Sequence, residues 1–362
     1  DNYVAEMTIN SASQVYLYIY QVEGGNKRYV RSTKVCDARA SGGDANDKTN
    51  IIYNWEYDAM YDIAAGDMDG DGYDEIAVYA QNCVYVYSFE DGTLSELIKK
   101  ETVKPEGVNE GGGKYKKLKT AVVTLAFGDL NADDKDELVI AENIGYGSSK
   151  IADGKVGIYS LTSAKKLHEE KIISLKYDDS MMVRYANVAT GDIDKDYKDE
   201  LIIAGYISAD VLGQTIVGKD NIAYRVVDGT DTGYTVGDWK TTSFVKKELL
   251  GRVVDNANQL IPPVALTCAA TQGVGHAEQI FLAGCLYSYN TDGSLTKLTE
   301  ISTNREYKKD NGNKANKEEI FVVNVVAGNF NGNRNGQEQI VYAFGMKHDD
   351  SDRYWYDIGY LN

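Results

Sequence analysis

Oxygen-bearing side chains recur along this chain in one fixed pattern. Asp67, Asp69 and Asp71 alternate through a loop that Glu75 closes, Asp129, Asn131 and Asp133 do the same before Glu137, and Asp192, Asp194 and Asp196 precede Glu200. They occupy positions 1, 3, 5 and 9 of the same loop. Alternate residues of a tightly curved loop point inward together, and about six to eight converging oxygens are what a hard divalent cation such as calcium takes. One such run alone would be read as a solvated acidic turn between strands. Three phased copies, each followed by an apolar run (EIAV, ELVI, ELII), favour two to three Ca2+ sites instead.

The phasing points to the elements that must carry the loops. Their first aspartates lie 62 and 63 residues apart, so each loop belongs to a repeated unit. The flanks alternate or run apolar as strands do and lack helical spacing, which excludes EF-hands. Ahead of the loops, YDIAAGD, VVTLAFGD and YANVATGD carry small residues suited to a strand packed near a central axis. Behind them come Val84–Phe89, Val156–Leu161 and Asn221–Val227, and then the more polar Leu94–Val103, Lys166–Leu175 and Ser243–Leu250, expected as outer strands. Four antiparallel strands in each unit of about 60 residues predict an all-β fold, a β-propeller.

Weaker copies extend the array. Val322–Phe344 has the strand, loop and strand but Asn329, Asn331 and Asn333 in place of aspartates, and Ala265–Gly284 keeps two strands around a loop nearly empty of ligands. Asparagines in such a turn still hold it through hydrogen bonds to the backbone. Asp1–Asn10, Val15–Val22 and Arg28–Val35 fit the later part of a unit, and Tyr354–Leu361 fits a third strand with no fourth. The chain therefore divides into repeats at about 1–36, 50–104, 118–176, 182–250, 262–304 and 318–362, with both ends inside a blade. The expectation is one domain of about six blades, a part of a seven-bladed ring.

The phased GDxDxDGxxEI loops resemble the FG-GAP or VCBS repeats of integrin alpha subunits and of many secreted bacterial proteins. The resemblance implies a calcium-stabilised propeller with its metal loops between the first and second strands of a blade. It also implies the backbone carbonyls of Tyr73, Lys135 and Lys198, at loop position 7, as further ligands. The family has glycine at position 6; Gly72 keeps it, Asp134 and Tyr197 do not. A side chain there strains a left-handed backbone, so the second and third sites are expected to be weaker than the first.

Composition sets limits. The 43% of hydrophobic residues in 362 supports one large core, and three prolines leave no evident linker. A net charge of −17, with no basic cluster larger than Lys114–Lys119, argues against nucleic acid. No apolar run approaches the roughly 18 residues of a membrane span, and the start of the sequence carries no basic and apolar leader, as expected of a mature or trimmed chain. Open calcium loops of extracellular modules bind at about 0.1–1 mM, which suggests an extracellular or cell-surface, bacterial setting. Cys36, Cys83, Cys268 and Cys285 read as small buried thiols.

No catalytic constellation stands out, since His168, His276 and His348 sit in three unrelated contexts. In an up-and-down blade the metal loops share one face, leaving long, uneven loops for recognition on the other. Trp55, Tyr57, Tyr146, Tyr185 and Tyr206, with Asp58 and Arg184, are the candidate ligand contacts there, because aromatic rings stack on sugars and anchor protein interfaces. The leading functional reading is a binding or adhesion module for a glycan or extracellular protein. A polysaccharide lyase-like enzyme and a structural spacer are the alternatives.

Overall fold

The computed structural model describes residues 3–10, 14–23, 26–37, 61–80, 83–102, 108–109, 115–116, 121–144, 154–208, 221–230, 233–243, 264–301, 319–330, 335–347 and 354–361. Their secondary structure is almost entirely antiparallel strand. Six sheets form the blades of a β-propeller, each with three to five strands.

The first blade is Tyr3–Ile9, Gln14–Glu23 and Asn26–Asp37. The second is Asp62–Gly66, Glu75–Ala80, Cys83–Glu90 and Thr93–Glu101; the third is Ala121–Gly128, Glu137–Ile144, Lys155–Leu161 and Leu167–Ser174. In the fourth, Met182–Gly191, Glu200–Ser208 and Asn221–Thr230 are followed by a fourth strand in two pieces, Gly233–Val236 and Lys240–Ser243. The fifth is Leu266–Ala269, Gln279–Leu282, Cys285–Tyr289 and Leu295–Glu300, and the sixth is Glu319–Gly328, Gln339–Lys347 and Tyr354–Leu361. A seventh blade is not among the described residues.

One sequence expectation is corrected here. The outer strand of the fourth blade begins well before Ser243: its described pieces, Gly233–Val236 and Lys240–Ser243, both pair with Asn221–Thr230, and of the expected Ser243–Leu250 the residues 244–250 lie outside the described set. The signal was the GTDTG run at the end of the third strand: Thr230 pairs with Gly233 as Glu90 pairs with Thr93 in the second blade. Gly237 then interrupts the strand, its amide bonding the Val226 carbonyl, and Trp239 anchors the second piece by donating its indole N–H to the Lys176 carbonyl at 2.8 Å.

Alternation along each strand splits its side chains between two neighbouring blades. In the second blade Ile76, Val78, Tyr85 and Tyr87 pack toward the first, while Ala77, Tyr79, Val84 and Val86 pack toward the third. Because both faces are covered, Glu75–Ala80 is buried throughout and Cys83–Glu90 is buried as far as Ser88. All four cysteines are free thiols; Cys83, Cys268 and Cys285 are buried, and burial pushes the Cys36 thiol up to about 11.

Position 2 of each acidic loop plugs the next blade. Met68, Leu130 and Ile193 are each 1% exposed and sit in the clusters shared with the third, fourth and fifth blades respectively. Phe330, the same position in the sixth blade, is 60% exposed, and Val326 and Ile358 beside it on that sheet are also exposed.

Candidate metal centre

Each acidic loop joins the innermost strand of a blade to the second, between a closing pair such as Gly66 and Glu75. The first aspartate organises the turn. Asp67 accepts hydrogen bonds from the amides of Gly70 (2.7 Å) and Asp71 (3.2 Å) on one oxygen and of Gly72 (2.8 Å) on the other. Asp129 accepts from Asp133 (3.1 Å) and Asp134 (3.0 Å), and Asp192 from Asp196 (3.1 Å) and Tyr197 (3.3 Å). At position 5, Asp71, Asp133 and Asp196 each accept from the amide two residues on, Tyr73, Lys135 and Lys198.

Such curvature requires left-handed backbone at two positions. Gly72, Asp134 and Tyr197 at position 6 have φ of 86°, 63° and 70°; Gly70, Ala132 and Lys195 at position 4 have 75°, 58° and 72°. The departure from glycine at position 6 was visible in sequence. Position 4 was not recognised, although Gly70 in the first copy marks it.

The closing glutamates are the buried members. Glu75 and Glu200 are 1% exposed and Glu137 is 2%, and one oxygen of each accepts from the position 2 amide at 2.9–3.0 Å. The other oxygen faces the loop. In the second loop it accepts from the Asn131 amide at 2.8 Å; in the third, Glu200 Oε1 is buried with no hydrogen-bond partner, as are Asn131 Oδ1 and Asp69 Oδ1. Burial, with the neighbouring aspartates adding to it, raises the carboxyl of Glu75 to about 7 and those of Glu137 and Glu200 to about 8. Carboxylate oxygens of Asp67, Asp69 and Asp71 lie within 4.8 Å of one another, and so do those of Asp192, Asp194 and Glu200.

An all-oxygen donor set with buried, unpartnered acceptors fits a hard cation. Asp67, Asp69, Asp71 and Glu75 would hold it in the first loop, Asp129, Asn131, Asp133 and Glu137 in the second, and Asp192, Asp194, Asp196 and Glu200 in the third. The carbonyls of Tyr73, Lys135 and Lys198 stand at position 7. A bound cation would offset the negative charge that each loop gathers.

Position 8 ties each loop to the one before it, a role the sequence did not reveal. The Asp136 amide donates to the Asp67 carbonyl at 2.8 Å, and Asp199 to Asp129, Glu278 to Asp192 and Glu338 to Ala270 repeat the bond at 2.9–3.1 Å. This close approach explains the glycine before each first aspartate. A Cβ on Gly66 would come within 2.6 Å of the Asp136 carboxylate, and one on Gly128 would meet the Asp199 carboxylate and the Thr190 Cβ at the same distance.

Residues 61–87 match the FG-GAP repeat family. The chain is a β-propeller that carries an FG-GAP repeat in its second blade. No curated protein matches this propeller. Among solved structures it is similar to a protein from Lactobacillus plantarum, with 12% identity over 98% of this chain and 87% of that one and a TM-score of 0.44. It is also similar to the exotype rhamnogalacturonan lyase YesX (13% identity, 98% and 64% coverage, TM-score 0.38) and to a lectin of Agrocybe aegerita that recognises non-reducing terminal N-acetylglucosamine (12%, 99% and 80%, TM-score 0.39).

Of the expected ligand contacts, Trp55, Tyr57, Asp58 and Tyr146 lie outside the described residues. The other expected contacts, Arg184, Tyr185 and Tyr206, are buried, at 4%, 4% and 7% exposed. A β-bulge between Arg184 and Asn187, with Tyr185 at φ 52°, turns the Tyr185 ring into the core between the fourth and fifth blades, edge-on to Tyr206 with ring centroids 6.4 Å apart. The Tyr185 carbonyl there accepts from the Val264 amide of the neighbouring blade at 3.1 Å. These rings hold two blades together. An open cleft of about 510 Å³ lies instead between the first and second blades, beside the first acidic loop, and is lined by Tyr3, Tyr73, Asp74, Phe89 and Asp91 among others.

Proposed function

We propose that this propeller is an extracellular binding module, stabilised by calcium in its three acidic loops, that presents its remaining surface to a glycan or a protein. The observation that carries the calcium half is Glu200 Oε1, a carboxylate oxygen buried without a hydrogen-bond partner beside Asp192 and Asp194. A folded chain that leaves such an oxygen bare incurs a desolvation cost of about 1–3 kcal/mol or more, and a cation removes it. The binding half draws on the cleft beside the first loop, where Tyr3 and Tyr73 are exposed next to Asp74 and Asp91. Aromatic faces with adjacent hydrogen-bonding carboxylates suit sugar rings.

Thermal unfolding in about 10 mM Ca2+ and then in chelator tests the first half. A ligand bound only by the folded state at about 100 times its Kd stabilises by about 2.7 kcal/mol per site, so the transition moves up by several degrees. An unmoved transition means that the carboxylates are only solvated. A glycan array and a pull-down from cell-wall and host material test the second half, and silence in both overturns it.

A further inference from the structure

We propose that Lys165 is a tethered competitor for the cation of the first loop, so that this loop is the weakest of the three rather than the strongest. The inference rests on the reading of the loops as calcium sites. Residues flanking the hairpin between the third and fourth strands of the following blade pack on the cluster under each loop: Tyr234 of the fourth blade on the cluster of Leu130, Tyr289 of the fifth on that of Ile193, and Leu161 and Leu167 of the third on that of Met68. On the first loop itself lies Lys165 of the third blade, whose ammonium pairs directly with Asp69 and faces Glu75 as well. Among the described residues no ammonium pairs with a ligand of the second or third loop.

Comparison of two hairpins shows that the lysine is not what the turn itself requires. Thr162–Lys166 and Asn290–Ser294 are the same five-residue turn: Thr162 N donates to Lys166 O and Lys165 N to Thr162 O, just as Asn290 N donates to Ser294 O and Gly293 N to Asn290 O. Lys165 therefore stands where Gly293 stands, at φ 53° against 77°. Glycine accepts that left-handed backbone freely, whereas a side chain there is strained. The strained residue puts its positive charge on a position 3 carboxylate of the neighbouring blade.

Lys165 holds one oxygen of Asp69 and leaves the other, Oδ1, without a partner, so a divalent cation taken by Oδ1 sits next to an ammonium and is repelled by it. Calcium completes the first site only against that repulsion or by displacing Lys165, and its apparent affinity falls either way. Among the described residues, no ammonium is paired with the second or third loop to oppose a cation in the same way. Without Lys165 the first loop would rank highest, with four carboxylates and glycine at both left-handed positions.

The test is calorimetric titration of Ca2+ into the full chain carrying Glu137→Gln and Glu200→Gln, which leaves the first loop as the intact site, with and without Lys165→Met. Lys165→Met is expected to tighten Ca2+ binding about tenfold, the scale of one ion pair near a protein surface. Lys165→Arg is expected to stay weak. Equal affinity with and without Lys165→Met overturns the competitor while leaving the calcium reading intact. Absence of Ca2+ binding in both chains, with circular dichroism showing a folded protein, overturns the calcium reading and this inference together.

Discussion

Asp136 and Asp67, in adjacent blades, are bonded twice: the Asp136 amide donates to the Asp67 carbonyl at 2.8 Å, and the Asp67 amide donates to the Asp136 carboxylate at 2.8 Å. The first and second acidic loops are thereby locked in register, so an ion held by one loop would steady the next. Asp136→Ala leaves the Asp67 amide without its acceptor, a loss of about 1–3 kcal/mol. Asp136→Asn keeps an acceptor oxygen and is expected to cost much less. Urea unfolding of the two variants in calcium makes the comparison, and equal losses would mean that the side-chain bond contributes nothing.

Leu130 and Phe330 occupy the same loop position in different surroundings. Leu130 is 1% exposed and packed into the fourth blade, whereas Phe330 is 60% exposed. Leu130→Ala is expected to destabilise by about 2–5 kcal/mol, the range for emptying a packed leucine site. Phe330→Ala is expected to change stability by no more than about 0.5 kcal/mol, as exposed substitutions do. A large loss at Phe330 would show that something covers it in solution.

Much of this was legible because the acidic loops report both chemistry and period. Three nearly identical loops fixed the repeat length, and alternation on either side fixed the strands, so even the ligand-poor loop around His276 could be placed. The terminal blades with three strands each were read from where the pattern starts and stops. What stayed hidden depends on contacts between blades, which local pattern does not encode. Tyr185 and Tyr206 look like surface aromatics in sequence, yet the bulge at Arg184–Asn187 turns Tyr185 inward and Tyr206 continues the buried face of Ile202 and Ala204. The glycine of each GD pair reads as turn chemistry, but it is required by the carboxylate of the next blade. Position 8 was passed over because its bonds go to a residue about 70 positions away.

The closing glutamates give the cation-free propeller an inverted response to pH. Their ordinary value is 4.5, and burial raises Glu75 to about 7 and Glu137 and Glu200 to about 8. The folded state therefore holds protons that the unfolded chain releases, and stability falls as pH rises from about 4.5 to 8. Calcium removes this dependence, because it binds the deprotonated carboxylates, and above about pH 5.5 the glutamates of the unfolded chain are deprotonated as well. Melting curves at pH 5.5 and 8 are expected to show the chelated chain less stable at pH 8 and the calcium-saturated chain nearly unchanged. The same pH dependence with and without calcium would separate these glutamates from the ion.

Tyr197 isolates the backbone cost of a loop from its ligand chemistry. Its side chain is 83% exposed, so it packs on little, and its φ of 70° is left-handed. A non-glycine residue in that conformation costs roughly 1–2 kcal/mol, part of which is offset because glycine gains more freedom in the unfolded chain. Tyr197→Gly therefore stabilises the chelated chain, by up to about 1 kcal/mol, and leaves every carboxylate of the third loop in place. If the loop holds calcium, the same substitution pre-forms the curvature that gathers Asp192, Asp194 and Glu200, and Ca2+ binds the third loop more tightly as well. Gly72→Tyr, the opposite change at the same position of the first loop, must destabilise, since it puts a side chain at φ 86° with nothing within 4 Å to pack against. Denaturation in chelator and calcium titration of both variants measure the two effects separately. Tyr197→Gly that destabilises would mean that the ring contributes packing outweighing the strain of its backbone.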